Sequence, residues 1–190
     1  MVTALVCHLV RQGVYRADEI AVLTPYLGQL QKIRRVLQNS FEIALTEGDQ
    51  EDLEKQEVGK EHNDIGQSAV PNLQKTSLSR TLRVSTIDNF QGEQATVVII
   101  ALVRSNEQNK CGFLIAPNRI NVLLSRARHG MYIIGNSRTY GHVPMWASVM
   151  GLLQAGGHFG QSLGIQCPRH RLVFEVSNAD DFTIFSPEGA

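Results

Sequence analysis

The sequence predicts an α/β domain in three layers, with helices covering both faces of a mainly parallel sheet. Three observations carry that prediction. Val97–Val103 is an unbroken β-branched and apolar run, the pattern of a strand covered on both faces. Shorter strand-like runs recur at Ile20–Leu23, Arg83–Ile87 and Met131–Ile134. Between them lie segments whose apolar residues recur at helical spacing, so strands and helices alternate along the chain.

Leu5, Val6, Leu9 and Val10 share one face of a helix over residues 3–12, and Gly13 ends it. Ile20–Leu23 is a buried strand stopped by Thr24-Pro25. From Gly28 to Leu37 the helical period returns, with Leu30, Ile33 and Leu37 inward and Lys32, Arg34 and Arg35 outward. Over residues 42–80 the periodicity fails and Glu, Asp, Gln and Ser dominate. That stretch reads as an acidic, disordered insertion rather than a second domain. Arg83–Ile87 and Val97–Val103 follow as strands, Ile120–Ala127 as a helix and Met131–Ile134 as a further strand. Trp146–Leu153 is a last amphipathic helix, with Trp146 assigned to the core rather than to base stacking. Gly156-Gly157 opens a tail, which places the domain at 1–150 and a C-terminal tail at 151–190.

The formal charge is zero, but unevenly spread. Nine of the eighteen acids fall between Glu42 and Asp64, opposed there only by Lys55 and Lys60. The remainder carries sixteen Lys and Arg against nine Asp and Glu, a net +7, which suits a polyanionic partner and equally suits scattered solubilising charge. Cys7, Cys111 and Cys167 are too few and too far apart for a disulfide framework, which points to a reducing compartment. The apolar N-terminus lacks the basic flank and cleavage site of a signal peptide, and no run reaches membrane-spanning length. An intracellular protein, cytoplasmic or nuclear, with no membrane partner is expected.

The segment Asn118-Arg-Ile-Asn-Val-Leu-Leu-Ser-Arg-Ala-Arg-His-Gly130 concentrates the chemistry. Arg126 and Arg128, two positions apart, cannot share one helical face. A guanidinium held rigidly beside an apolar core suits phosphate, because its planar fork meets two oxygens at once. An isolated Arg-x-Arg is more often a solvated helix end, and the company of the segment is what shifts the balance. Gln91-Gly92 offers a turn free of Cβ where backbone N–H groups can face an oxygen-rich ligand. Ligands of open parallel sheets sit outside the carboxyl ends of the strands, and every suspect residue is expected there.

Three blocks in order turn these fragments into a pattern: Ile20-Ala-Val-Leu-Thr-Pro-Tyr-Leu-Gly-Gln29; Leu82-Arg-Val-Ser-Thr-Ile-Asp-Asn-Phe-Gln-Gly-Glu-Gln-Ala-Thr96 running on through Val-Arg-Ser-Asn106; and Gly112-Phe-Leu followed by Asn118 to Gly130. Residues 15–150 thereby resemble motifs IV, V and VI of superfamily 1 helicases, in the Upf-like branch and its nuclear-X-box-type zinc-finger relatives. Chance supplies one such motif, not several in order. The resemblance implies a RecA-like fold, the second of a helicase's two such domains. It implies that Thr24, Pro25, Tyr26, Gln29, Thr86, Asp88 and Gln91 meet the backbone of a single strand, RNA ahead of DNA. It further implies that Gly92, Glu93, Gln94, Arg126 and Arg128 border ATP, with Arg126 as the arginine finger toward the γ-phosphate and Arg128 in a structural or coupling role. ATP with Mg²⁺ would be shared with a first domain carrying the P-loop, since no GxxxxGKS/T string occurs here and no Walker B pair of acids follows a strand. The chain is thus expected to be half of an ATPase.

Gln94 and Thr96 stand where the family's pattern has Glu and Asp. Either the nucleotide contact is weakened or Glu93 takes over with shifted geometry. Cys167-Pro-Arg-His170 has the spacing of half a zinc site, or is a chance pair in an exposed tail. A non-catalytic binding module derived from a helicase domain, or a truncated gene product, are the competing readings.

Overall fold

The computed structural model describes residues 1–58, 81–102, 104–106, 108–166 and 171–185. Five strands form one parallel sheet in the order β2-β3-β1-β4-β5: β1 (Ile20–Thr24), β2 (Glu42–Ala44), β3 (Thr81–Thr86), β4 (Ala95–Ala101) and β5 (Ala127–Ile134). α1 (Val2–Arg11) and α2 (Leu27–Leu37) cover one face, while α4 (Pro117–Leu124) and α6 (Pro144–Ala155) cover the other. Between them in the chain lie α3 (Glu47–Val58) and the single turn α5 (Ser137–Tyr140). This is the RecA-like three-layer arrangement.

Strand alternation divides the core. Ile20, Val22, Leu82, Val84, Val97 and Ile99 pack against α1 and α2, whereas Ala21, Leu23, Val98 and Ile100 pack toward α4 and α6. With side chains of successive residues on opposite faces, only a run apolar at every position can bury both. Trp146, 1% exposed, sits in the second half of the core and donates its indole N–H to the Leu114 carbonyl at 3.1 Å.

The connection from β3 to β4 positions everything that follows. It must leave the carboxyl end of β3, pass β1, and reach the amino end of β4, and it does so in the eight residues Ile87–Gln94. Fully extended, eight residues reach about 26 Å, against about 17 Å for the five-residue strand they must pass, so no crossover helix of ordinary length fits. Phe90, 1% exposed, pins the middle of this turn into the core beside Ile87.

Three expectations need correction. Residues 42–58 are ordered: β2 extends the sheet, and α3 begins at a Thr46-Glu47-Gly48-Asp49 start signal. The Asp49 N–H donates to the Thr46 hydroxyl at 3.3 Å, while that hydroxyl donates to the Asp49 carboxylate at 2.8 Å. Glu47 and Asp49 in the first turn also complement the helix dipole, so an acidic composition does not preclude a helix here. The rest of the expected insertion, 59–80, lies outside the described residues.

The expected tail is not featureless either. Residues 151–155 complete α6, and an antiparallel hairpin follows, β6 (Leu163–Gln166) with β7 (Val173–Val176). The final 3-10 turn, Asp180–Phe185, returns to α1, where Phe182 and Phe185 meet the His8 ring at 5.4 and 4.8 Å. Ile165, Val176 and Phe182 thereby join the α1 side of the core.

Last, α4 stops at Leu124 and β5 starts at Ala127, so Arg126 sits in a bend and Arg128 in a strand.

Truncating Phe90 to Ala is expected to cost about 3–5 kcal/mol of stability, the range for a large buried aromatic. Trimming Val14, 71% exposed, to Ala should change it by less than about 0.5 kcal/mol. Urea midpoints of the two variants measure the difference, and a Phe90→Ala protein as stable as its parent would rule out the pinned turn.

Candidate functional site

At the carboxyl end of the sheet, β1 leads into α2 on one face while its neighbour β4 leads toward α4 on the other. Adjacent strands whose connections diverge in this way open a crevice between their loops. Tyr26 stands on one side of it, and Arg104 and Phe113 on the other. The Arg104 guanidinium lies 4.8 Å over the Tyr26 ring, the Tyr26 and Phe113 rings are 5.0 Å apart, and Arg119 lies 4.5 Å over Phe113. Arg119 then reaches Asp88 at 3.3 Å. Two adjacent aromatic rings are thus flanked by two cations in one ladder, each cation over a negative ring face. The Tyr26 hydroxyl donates to the Cys111 carbonyl at 3.4 Å. Its burial raises the hydroxyl pKa against the opposing pull of Arg104, so it stays neutral and donating near pH 7.

Neighbouring site candidates differ in availability. Pro25 is buried, Gln29 is half-buried in the first turn of α2, and Gln91 is exposed. Thr24 is corrected as a side-chain contact: it is fully buried, and its hydroxyl is spent on the Ala101 carbonyl at 3.3 Å. Its own carbonyl accepts from Ile87 N–H at 3.1 Å. Thr86, 8% exposed, is likewise engaged. Its hydroxyl and backbone N–H donate to the two carboxylate oxygens of Asp49 at 2.6 and 3.0 Å.

Asp49 is fully buried and accepts from Ser85 at 2.6 Å and from the Asn89 amide at 2.7 Å as well. With Thr46, five neutral donors therefore surround one carboxylate. Burial alone would raise its pKa; the hydrogen bonds from Ser85, Thr86, Asn89 and Thr46 outweigh that and hold it below its ordinary 3.8.

Arg126 and Arg128 gather at the opposite end of the sheet, a correction to the expectation that all site residues share its carboxyl end. In a parallel sheet the start of β5 lies beside the start of β4, where Ala95 pairs with Ala127. Arg126 is half-buried and held by three bonds: Nε to the Val122 carbonyl at 2.7 Å, one terminal nitrogen to the Glu93 carbonyl at 3.0 Å, the other to the Ser125 hydroxyl at 2.8 Å. A guanidinium has five N–H donors, so two remain, one on each terminal nitrogen. The exposed Arg128 donates to the Gln94 side-chain oxygen at 3.3 Å. A register shift of one extra β5 residue falls between Ala127 and Gly130, a bulge of the kind that re-aims a side chain. Gly92, at φ +86°, makes the turn that brings Glu93 and Gln94 to these arginines. The Glu93 carboxylate faces Arg83 at 3.5 Å.

Asp49, Asn89, Arg83, Arg104, Phe113 and Arg119 were not singled out from the sequence. Thr46-x-x-Asp49 was a legible helix start, and the other five stand inside strings already recognised, without a role attached. The zinc pair Cys167 and His170 lies outside the described residues. Among those described, no three His, Cys, Asp or Glu side chains are grouped to hold a metal, and no helix is long and apolar enough to cross a membrane.

A family model described as an AAA domain, AAA_12, matches residues 1–138. The chain belongs to this family. It is 42% identical over 109 residues, 57% of its length, to NFX1-type zinc finger-containing protein 1 of Mus musculus. Over 132 residues, 70% of its length, it is 30% identical to Regulator of nonsense transcripts 1 of Dictyostelium discoideum. Over 66 residues, 34% of its length, it is 44% identical to Helicase required for RNAi-mediated heterochromatin assembly 1 of Schizosaccharomyces pombe. It spans 6%, 8% and 7% of those three proteins. The chain is therefore a helicase-related domain of the superfamily 1, Upf-like branch.

Because the folded-state pKa of Asp49 lies below its ordinary value, the network contributes fully above that value and is lost as pH falls through the lower, folded one. Asp49→Asn should flatten the acid limb of the stability curve. Urea midpoints followed from neutral pH into the acid range test this, and an unchanged acid dependence would dismiss the network.

Proposed function

We propose that this domain is the second RecA-like half of an ATP-dependent helicase acting on single-stranded nucleic acid, RNA ahead of DNA. It lends Arg126 to an ATP site completed by a P-loop-bearing half. One observation supports the reading: Arg126 is fixed by three hydrogen bonds, to the Val122 carbonyl, the Ser125 hydroxyl and the Glu93 carbonyl of the crossover, which leaves one N–H unspent on each terminal nitrogen. A guanidinium held in this way stabilises charge developing on a transferring phosphoryl group without reorganising during the reaction. Arg128 adds a second positive charge nearby, and its partner Gln94, being neutral, does not cancel it. ATP and Mg²⁺ would be bound chiefly by the other half, because the sequence has no P-loop.

The strand would cross the carboxyl end. The Arg104–Tyr26–Phe113–Arg119 ladder supports that placement, since rings and guanidinium planes accept any base by stacking. The basic balance outside residues 42–64 supplies the attraction for phosphates. The names of the relatives from Dictyostelium and fission yeast, which mention transcripts and RNAi, favour RNA.

The purified chain alone should hydrolyse MgATP at background rate; nucleic-acid-stimulated turnover by it would overturn the division of labour. When it is joined to a P-loop-bearing half, Arg126→Ala should lower kcat by about 10³-fold or more while nucleotide Kd changes far less. Arg126→Lys should rescue poorly, because an ammonium lacks the fork. Near-normal turnover by Arg126→Ala would transfer the weight to a non-catalytic binding module.

A further inference from the structure

We propose that Asp49 is a built-in stand-in for a nucleic-acid phosphate, and that α3 is a displaceable cover over the strand-binding end of the sheet. The inference rests on the single-strand reading above and adds a regulation of the same site.

The donor set is the first argument. Two hydroxyls, a backbone N–H and a side-chain amide from Ser85, Thr86 and Asn89 converge on the two oxygens of one carboxylate. All are neutral, and no cation pairs with Asp49 among the described residues. Convergent neutral donors with a backbone N–H among them form an oxyanion cradle, and a phosphodiester presents two non-bridging oxygens to such a cradle much as a carboxylate does. The cradle lies at the end of β3, whose register partner Thr24 leads directly into Tyr26 and the ladder.

Attachment of the cover is the second argument. From Glu47 to Gln56 only Asp49 and Leu53 are buried. The helix carries six acids against Lys55 alone, and the exposed ones face solvent beside the proposed path of a polyanion. One buried leucine and one buried carboxylate are a slender hold. If α3 departs, the Thr86 hydroxyl and N–H and the Asn89 amide are left with unmet donors, which an incoming phosphate oxygen satisfies, while the Ser85 hydroxyl can turn between that oxygen and the Thr86 carbonyl at 3.0 Å. The same donors therefore serve either occupant, and the two exclude each other. Gly48 permits the close approach: a Cβ at that position would lie 2.8 Å from the Asn89 side-chain oxygen.

The test measures binding of a fluorescein-labelled oligouridine to the 190-residue chain by anisotropy at low salt. Asp49→Ala removes the stand-in and should tighten binding about tenfold or more, because the fraction of molecules open to the strand rises. Gly48→Val wedges α3 from the Asn89 side without touching the carboxylate, and should also tighten binding. Replacing the exposed Glu51 and Glu54 together by Gln controls for helix charge, and should change affinity by less than about threefold. Oligouridine should also accelerate amide exchange over residues 47–53 of the unaltered chain, where a purely structural helix would be unchanged or protected. If the chain binds but both Asp49→Ala and Gly48→Val bind no tighter, the cover is overturned and the strand-binding reading stands. If none of the proteins binds, the strand-binding reading falls and takes the cover with it.

Discussion

Phe90, packed under the β3–β4 crossover, holds a single short segment across the whole depth of the sheet. The layout of the candidate site depends on that constraint. Ahead of the phenylalanine, Asp88 and Asn89 stay with the carboxyl end, meeting Arg119 and Asp49. Behind it, Glu93 and Gln94 reach the amino end and meet Arg126, Arg83 and Arg128. A longer crossover helix would part these groups; eight residues with one buried ring in the middle tie them together. Two candidate ligand surfaces on opposite ends of a sheet thus share one polypeptide link.

The fold was legible because burial on both faces leaves an unambiguous trace. Val97–Val103 needs no partner to announce a central strand, and the observed β4, Ala95–Ala101, overlaps it while starting two residues earlier. The helices of the two outer layers were legible from Leu30, Ile33 and Leu37, and from Ile120 and Leu123, all of which are buried. What escaped was structure held by polar groups. α3 has one buried leucine, so apolar periodicity had nothing to register, and its anchor is a carboxylate whose partners lie 36 to 40 residues further on. Hydrogen bonds over that separation leave no spacing rule in the sequence. The start signal at Thr46 was the one local clue.

Site positions divide along the same line. Gly92 and Arg126 sit in turns, where local geometry and side-chain chemistry both appear in the residue string, and a motif reading reaches them. Thr24 shows the limit of such a reading. A hydroxyl at the end of a strand looks available in the sequence, yet here it is fully buried and bonded to Ala101. The assignment of all site residues to one end failed for a related reason: motif order along the chain says nothing about which end of a parallel strand a residue occupies. Arg126 precedes β5 and Tyr26 follows β1, so parallel pairing alone sets them apart.

Despite that separation, one segment touches both ends. The Glu93 carbonyl, rather than its side chain, accepts from Arg126, so the arginine grips the backbone of the crossover itself. A shift of Arg126 relative to the sheet would act on a segment whose centre is fixed by Phe90 and whose far side carries Asn89. Asn89 is also the cradle donor nearest Gly48. Packed interiors respond to small displacements by switching between discrete arrangements rather than by gradual deformation. Asn89 has two partners within reach, Asp49 at 2.7 Å and Asp52 at 3.3 Å, both on α3, so the crossover meets the cover through a residue with alternative bonds already in place. The shortest physical route from the arginine end to the strand end therefore runs along the backbone from Glu93 to Asn89, and then across to α3.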